Sequence, residues 1–107
     1  MAGRRYVPDR GDVVWLQFTP QVRHRPALVL SPASYNRRSG LMLCCPITSR
    51  VKVYPFEVAL EGGQELAGVV LADQVKSLDW KARQGSKKGR ASSQVMTETL
   101  SKLQTLL

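Results

Sequence analysis

Pro26-Ala27-Leu28-Val29-Leu30 is an almost continuous apolar run in a chain of only 107 residues. A half-exposed strand alternates apolar with polar residues, so a run without alternation reads as a strand buried on both faces. A sheet built around such a strand has to curl or be covered. The neighbouring segments fit that frame. Val13-Val14-Trp15-Leu16-Gln17-Phe18 follows the turn signal Arg10-Gly11-Asp12 and reads as a strand. Leu41-Met42-Leu43-Cys44-Cys45 reads as another, stopped by Pro46. Phe56-Glu57-Val58-Ala59-Leu60 alternates and should be half exposed, and Glu61-Gly62-Gly63 then turns the chain. Val69-Val70-Leu71-Ala72 is a fifth strand, and residues 75–80 add a shorter sixth. Residues 32–40 are polar, with Asn36 and Gly40 as breakers, and read as a loop with room for one helical turn.

The one strong helical signal closes the chain. Met96, Leu100, Leu103 and Leu107 recur at helical spacing behind Ser92 or Ser93 as N-cap. Short strands, punctual turns and one terminal helix in a chain of single-domain length predict a mostly antiparallel barrel or curled sheet over residues 1–107. Its edges are of the kind that a small chain covers by dimerising.

Sixteen Lys and Arg against eight Asp and Glu give a net charge of +8, with a pI near 10.1. That balance points to a polyanion, with nucleic acid the default partner. No apolar stretch approaches the ~20 residues of a membrane span. The start, Met-Ala-Gly-Arg-Arg-Tyr-Val-Pro, has no apolar signal core, so a cytoplasmic address without membrane contact is expected. Lys81, Arg83, Lys87, Lys88 and Arg90 form a run without an acid among them. Two readings stand for it: a solvated loop, or a segment that follows a phosphate backbone beside Gly85 and Gly89.

The chemistry narrows by elimination. Cys44 and Cys45 are adjacent, and neighbouring strand residues point to opposite faces, so reduced, buried thiols are expected rather than a disulfide. With one histidine and no CxxC, a structural zinc site has no ligand set. The eight acids are scattered, with nothing like the carboxylate cluster of a two-metal nuclease. His24 stands alone, so a histidine acid–base pair is excluded within one chain, and neither GxxxxGK[ST] nor GxSxG occurs. Metal-free cleavage of RNA by its own 2′-OH remains open. The protein then orients the phosphate, stabilises the pentacoordinate charge and helps protons move. Arginine offers two donors to two phosphate oxygens, and a threonine hydroxyl adds another. Arg25 and Thr48 flank two consecutive predicted strands, and if those pair antiparallel the two residues meet at one rim. Taken singly, Arg25 also reads as a surface charge and Thr48 as an ordinary strand-closing residue.

Tyr6-Val7-Pro8-Asp9 followed by Gly11-Asp12-Val13-Val14-Trp15 resembles the opening of the MazF/PemK/Kid toxin endoribonucleases. So do His24-Arg25-Pro26-Ala27-Leu28-Val29-Leu30-Ser31-Pro32, Tyr54-Pro55-Phe56-Glu57-Val58 and Leu71-Ala72-Asp73-Gln74-Val75-Lys76-Ser77, in order and through the terminal helix. The resemblance implies an SH3-like barrel of the CcdB/PemK toxin type, acting as a homodimer that a cognate MazE-like antitoxin holds inactive. It implies sequence-specific, metal- and cofactor-independent cleavage of single-stranded RNA, leaving 2′,3′-cyclic phosphate and 5′-hydroxyl ends and stopping translation. The family's catalytic arginine matches Arg25 and its threonine Thr48. Its RNA contacts map onto Phe18, Lys52, Gln74 and Lys76. A guanidinium with an intrinsic pKa above ~12 is a poor general base, so Arg25 is read as stabilising charge and donating to the leaving oxygen. Imidazole has the right intrinsic pKa for proton transfer, and His24 is kept as an RNA-site candidate, although alternation turns it away from Arg25.

The chain departs from the family twice. Relatives carry a longer glycine- and acid-containing loop where this chain has Gln21-Val22-Arg23. They also read Lys-Gly-Tyr-Pro where this chain has Lys52-Val53-Tyr54-Pro55. If that glycine has φ > 0, a β-branched valine is strained there. The alternatives are an RNA-binding barrel without cleavage and a CcdB-like gyrase poison. The latter acts through a Trp-Gly-X C-terminus, whereas this chain ends Gln104-Thr105-Leu106-Leu107.

Overall fold

A computed structural model describes residues 6–17, 25–60, 67–83 and 85–107. Its elements run β1 (Asp12–Leu16), β2 (Arg25–Val29), α1 (Ala33–Ser39), β3 (Leu41–Thr48), β4 (Glu57–Ala59), β5 (Val69–Leu71), β6 (Lys76–Asp79), β7 (Ser86–Arg90) and α2 (Ser93–Gln104). The strands form one seven-stranded sheet in the order β4-β5-β3-β2-β1-β7, with β6 also on β3. Every pairing is antiparallel. Among the described residues no helix is long and apolar enough to cross a membrane.

The sheet is apolar on both faces at its centre, as the unbroken run in β2 requires. Val13, Leu28, Leu30, Cys45, Ile47, Val58 and Val70 make one core with Val95 of α2. Val14, Leu16, Ala27, Val29, Met42, Cys44 and Trp80 make the other, with Tyr6 and Val7 of the N-terminal segment laid against it. Cys44 and Cys45 therefore belong to opposite cores and are free, buried thiols. Burial raises the pKa of Cys44 to about 11 and that of Cys45 to about 12.

Four details differ from the sequence expectations. Pro46 does not stop β3, which continues to Thr48. The β6 ladder ends at Cys44 and the β5 ladder begins at Ile47, so the proline stands where β3 changes partner and loses no hydrogen bond on that edge. Residues 33–39 form two turns of helix rather than one. Asn36 does not break it. Its amide donates to Pro8 O at 2.7 Å and Ser31 O at 3.0 Å, while Ser31 Oγ donates to it at 2.6 Å. Gly40 closes α1 in the left-handed region. In α2, Ser92 is the N-cap, accepting from Val95 N at 3.1 Å. The buried stripe is turned from the leucine spacing, with Val95 and Thr99 inside and Leu100 and Leu107 exposed.

The fourth difference is β7, an edge strand in what read as a loop. A bulge between Val13 and Val14 accommodates it on β1. Its cations are held from within. Lys88 lies 4.4 Å from the Trp15 ring centroid, and Arg90 is 2.8 Å and Lys87 3.8 Å from the buried Asp12 carboxylate. Lys81 stacks on Trp80 at 5.5 Å, and Arg83 is likewise engaged. Much of the charge run thus braces the fold.

Candidate active site

Three stretches of backbone meet where β3 ends. The β2–β3 register pairs Val29 with Cys44, Leu28 with Cys45 and Ala27 with Pro46. The ladder ends there, two residues short of Arg25, the first residue of β2, and of Thr48, the last of β3, which lie at the same end of the antiparallel pair. Alternation puts both on the side of the sheet that carries Ala27 and Cys44. Lys76, paired with Cys44, shares that side.

The other edge of β3 shapes a cleft. Between the Cys44–Lys76 and Ile47–Val70 pairs, β3 contributes two residues while the facing chain contributes residues 71–75. The surplus bows outward and carries Leu71, Asp73 and Gln74 into the wall of a cleft of ≈ 350 Å³. Thr48, Arg50, Lys52, Tyr54 and Glu57 complete its lining. β5 packs closely on Thr48 because Gly68, at φ 116°, has no side chain. A Cβ there would lie 2.5 Å from the Thr48 carbonyl oxygen.

The polar groups are held in defined states. Thr48 Oγ1 accepts from the Arg50 N–H at 3.1 Å, which leaves its own hydrogen free to donate. The Glu57 carboxylate accepts the N–H groups of Lys52 at 3.0 Å and Tyr54 at 3.3 Å. Val53, between them, has φ 56°. This is the strained left-handed valine that the comparison with Lys-Gly-Tyr-Pro anticipates. The Tyr54 ring is tilted against Phe56 at 5.9 Å. A hydrogen bond to Asp73, together with that carboxylate's charge, raises the Tyr54 pKa above the ordinary phenol value. Asp73 Oδ1 is buried and has no hydrogen-bond partner among the described residues.

Of the residues singled out from sequence, Thr48, Lys52 and Gln74 line this one cleft. Arg25 and Lys76 are exposed on the same side of the sheet, outside the lining. Phe18 and His24 lie outside the described residues, as does the short segment Gln21-Val22-Arg23. Sequence reasoning overlooked Arg50, Tyr54 and Asp73. It weighed acids only as metal ligands, and a single carboxylate facing a strand end gave no such signal. Among the described residues, no group of three His, Cys, Asp or Glu is placed to hold a metal ion.

A family model described as PemK-like, MazF-like toxin of type II toxin-antitoxin system matches residues 9–107. The endoribonuclease toxin MazF of Escherichia coli K12 is 49% identical over 108 residues, covering 96% of each chain. The Escherichia coli endoribonuclease PemK is 34% identical, covering 92% of this chain and 81% of its own. In structure, the MazF of a MazE–MazF crystal from Deinococcus radiodurans superposes with a TM-score of 0.90 at 52% identity. That match covers 95% of this chain and 96% of the other.

Proposed function

Because the chain belongs to the PemK-like, MazF-like toxins of type II toxin–antitoxin systems and is a toxin endoribonuclease, we propose that it cuts single-stranded RNA in the Thr48 cleft by attack of the RNA's own 2′-OH. The observation that carries this is one cleft lined by Thr48, Arg50, Lys52, Asp73 and Gln74, in which Asp73 has a carboxylate oxygen without a hydrogen-bond partner among the described residues. The 2′-oxygen forms a bond to phosphorus while the bond to the 5′-oxygen breaks, giving a 2′,3′-cyclic phosphate and a 5′-hydroxyl. The Asp73 carboxylate takes the 2′-OH proton. Arg25 and the Thr48 hydroxyl donate to the phosphate oxygens as charge builds on them. The Arg25 guanidinium hydrogen-bonds the departing 5′-oxygen, which takes its proton from water, and Asp73 then returns the 2′-OH proton to solvent. Lys52 and Lys76 hold flanking phosphates, and Gln74 reads a base edge.

Two partners accompany this reading. The relative from Deinococcus radiodurans was crystallised with MazE, and a cognate antitoxin is the corresponding partner here. A second copy of the chain is the other. Leu41 and Leu43 of β3 stand 36% and 41% exposed beside Val75 at 37%. They form an apolar surface of the kind that dimers bury.

The test is a long single-stranded RNA incubated with the protein in EDTA, with mapping of the fragments' 5′ ends. Cuts at a fixed short sequence that disappear in Arg25→Ala, Thr48→Ala and Asp73→Asn support the assignment. Cuts that survive these changes, or RNA left whole by the wild type, overturn it. The same map yields the recognition sequence.

A further inference from the structure

Residues 50–55 form a strap beside β4 and β5, between two depressions of the surface. One side of this strap is the Thr48 cleft. On the other is a shallow depression lined by Val51, Val53, Pro55, Ala59, Val69 and Lys102. The strap belongs to no strand. Thr48 Oγ1 holds its first amide, at Arg50, and the Tyr54 side chain bonds Asp73; the backbone between is clasped by the Glu57 carboxylate, one oxygen to each of the Lys52 and Tyr54 amides. The Glu57 N–H returns a bond to Tyr54 O at 3.0 Å.

The residue between the two clasped amides opposes this arrangement. Val53 is 89% exposed, so no packing compensates its left-handed backbone. A left-handed conformation disfavours an L-residue with a Cβ by roughly 5–30-fold in population. Two charge-assisted hydrogen bonds outweigh that bias, since each is worth about tenfold or more. Around Val53 the strap is sprung, and Glu57 is the catch on the amides to either side of it.

We propose that Glu57 is a positioning residue for RNA cleavage: its carboxylate latches residues 52–54 against the relaxation of Val53 and so keeps Lys52 and Tyr54 in the cleft. The inference rests on reading the cleft as the RNA site. Glu57 acts through the two backbone amides. Its loss therefore weakens RNA binding, while Arg25, Thr48 and Asp73 remain placed for the chemical step.

The experiment uses a short single-stranded RNA containing the mapped cleavage sequence, with steady-state kinetics at a temperature where each variant is folded. Glu57→Ala raises KM by about tenfold, the effect of freeing a segment held by charge-assisted bonds, and changes kcat far less. Glu57→Gln, which keeps one acceptor, falls between. Glu57→Ala/Val53→Gly recovers most of the lost KM, because glycine adopts the left-handed conformation without a latch. Amide hydrogen exchange at Lys52 and Tyr54, measured without RNA, speeds up in Glu57→Ala. Unchanged KM in both Glu57 variants, or no recovery on adding Val53→Gly, overturns the proposal. Unchanged KM alongside faster exchange rejects the positioning role alone. The cleft reading falls separately, if Arg25→Ala and Thr48→Ala still cut the same RNA.

Discussion

Replacing Gly68 with alanine tests whether the close approach of β5 to β3 sets the position of Thr48. The added Cβ would lie 2.5 Å from Thr48 O and 3.1 Å from its carbonyl carbon. Reaching ordinary van der Waals distance requires β5 to withdraw by roughly 0.9 Å at its first residues. Backbone rotation offers no escape, because φ 116° is a conformation L side chains rarely adopt. Forced dihedral and overlap together cost about 2–5 kcal/mol. For a domain of this size the thermal midpoint then falls by about 10 °C or more. The damage falls on the Ile47–Val70 and Thr48–Val69 pairs, so it reaches the cleft as well as the core. A misplacement near 1 Å in a reacting group lowers rate by about 10²-fold. Urea unfolding of wild type and Gly68→Ala at equal protein concentration gives the first quantity. Turnover of a short RNA, well below the variant's midpoint, gives the second. A variant within ~0.5 kcal/mol of wild type would refute the steric reasoning, since that is the range of neutral surface changes. A destabilised variant with undiminished turnover would show that the β5 contact does not position Thr48.

Three further outcomes are expected. Asp12 is 2% exposed and accepts from Tyr6 Oη at 2.5 Å, Asp9 N at 3.1 Å and Arg90 Nη1 at 2.8 Å. Asp12→Ala should lose about 2–4 kcal/mol in urea unfolding, and Arg90→Ala, removing a half-exposed partner, clearly less. Cys44 and Cys45 titrate from 9.0 up to about 11 and about 12 when folded. The unfolded chain thus releases these protons first as pH rises. Stability should be full below pH 9 and then fall by up to about 1.4 kcal/mol per thiol per pH unit. Equal unfolding free energies at pH 8 and pH 10 would contradict this. Leu43→Glu, which puts a charge in the exposed apolar surface of β3, should turn the proposed dimer into a monomer in sedimentation velocity, and a wild type that sediments as a monomer would refute the dimer.

The parts of the fold legible in the sequence are those whose causes are local. The unbroken β2 run announces burial on both faces, and Ser92 or Ser93 announces the start of α2; the left-handed backbone at Val53 is signalled only by the resemblance, through the glycine that relatives carry there. The parts that were not legible depend on distant partners. Asn36 reads as a breaker until Pro8 and Ser31 are brought to its amide, and Trp80 Nε1 to its backbone oxygen at 2.9 Å. The lysines of β7 read equally as a solvated loop or as a segment along a phosphate backbone until Trp15 and Asp12 lie beneath them. Pro46 ends a strand only where that edge needs its N–H. In the site, Thr48 marks a strand end and is visible as such, while Asp73 gains meaning only from the bow in residues 71–75 that exists once β5 and β6 both pair with β3.

The split partnership of β3 bears on how a cell survives making this protein. Arg25 and Thr48 leave the ribosome early, on strands that pair with each other. The wall bearing Asp73 and Gln74 follows later, and the core behind β3 closes only when Val95 of the final helix arrives. A chain cut short before residue 71 carries both residues but lacks Leu71, Asp73 and Gln74 of the cleft wall. If the cleft is the RNA site, as proposed above, the messenger under translation meets no finished cleft until that wall has been made.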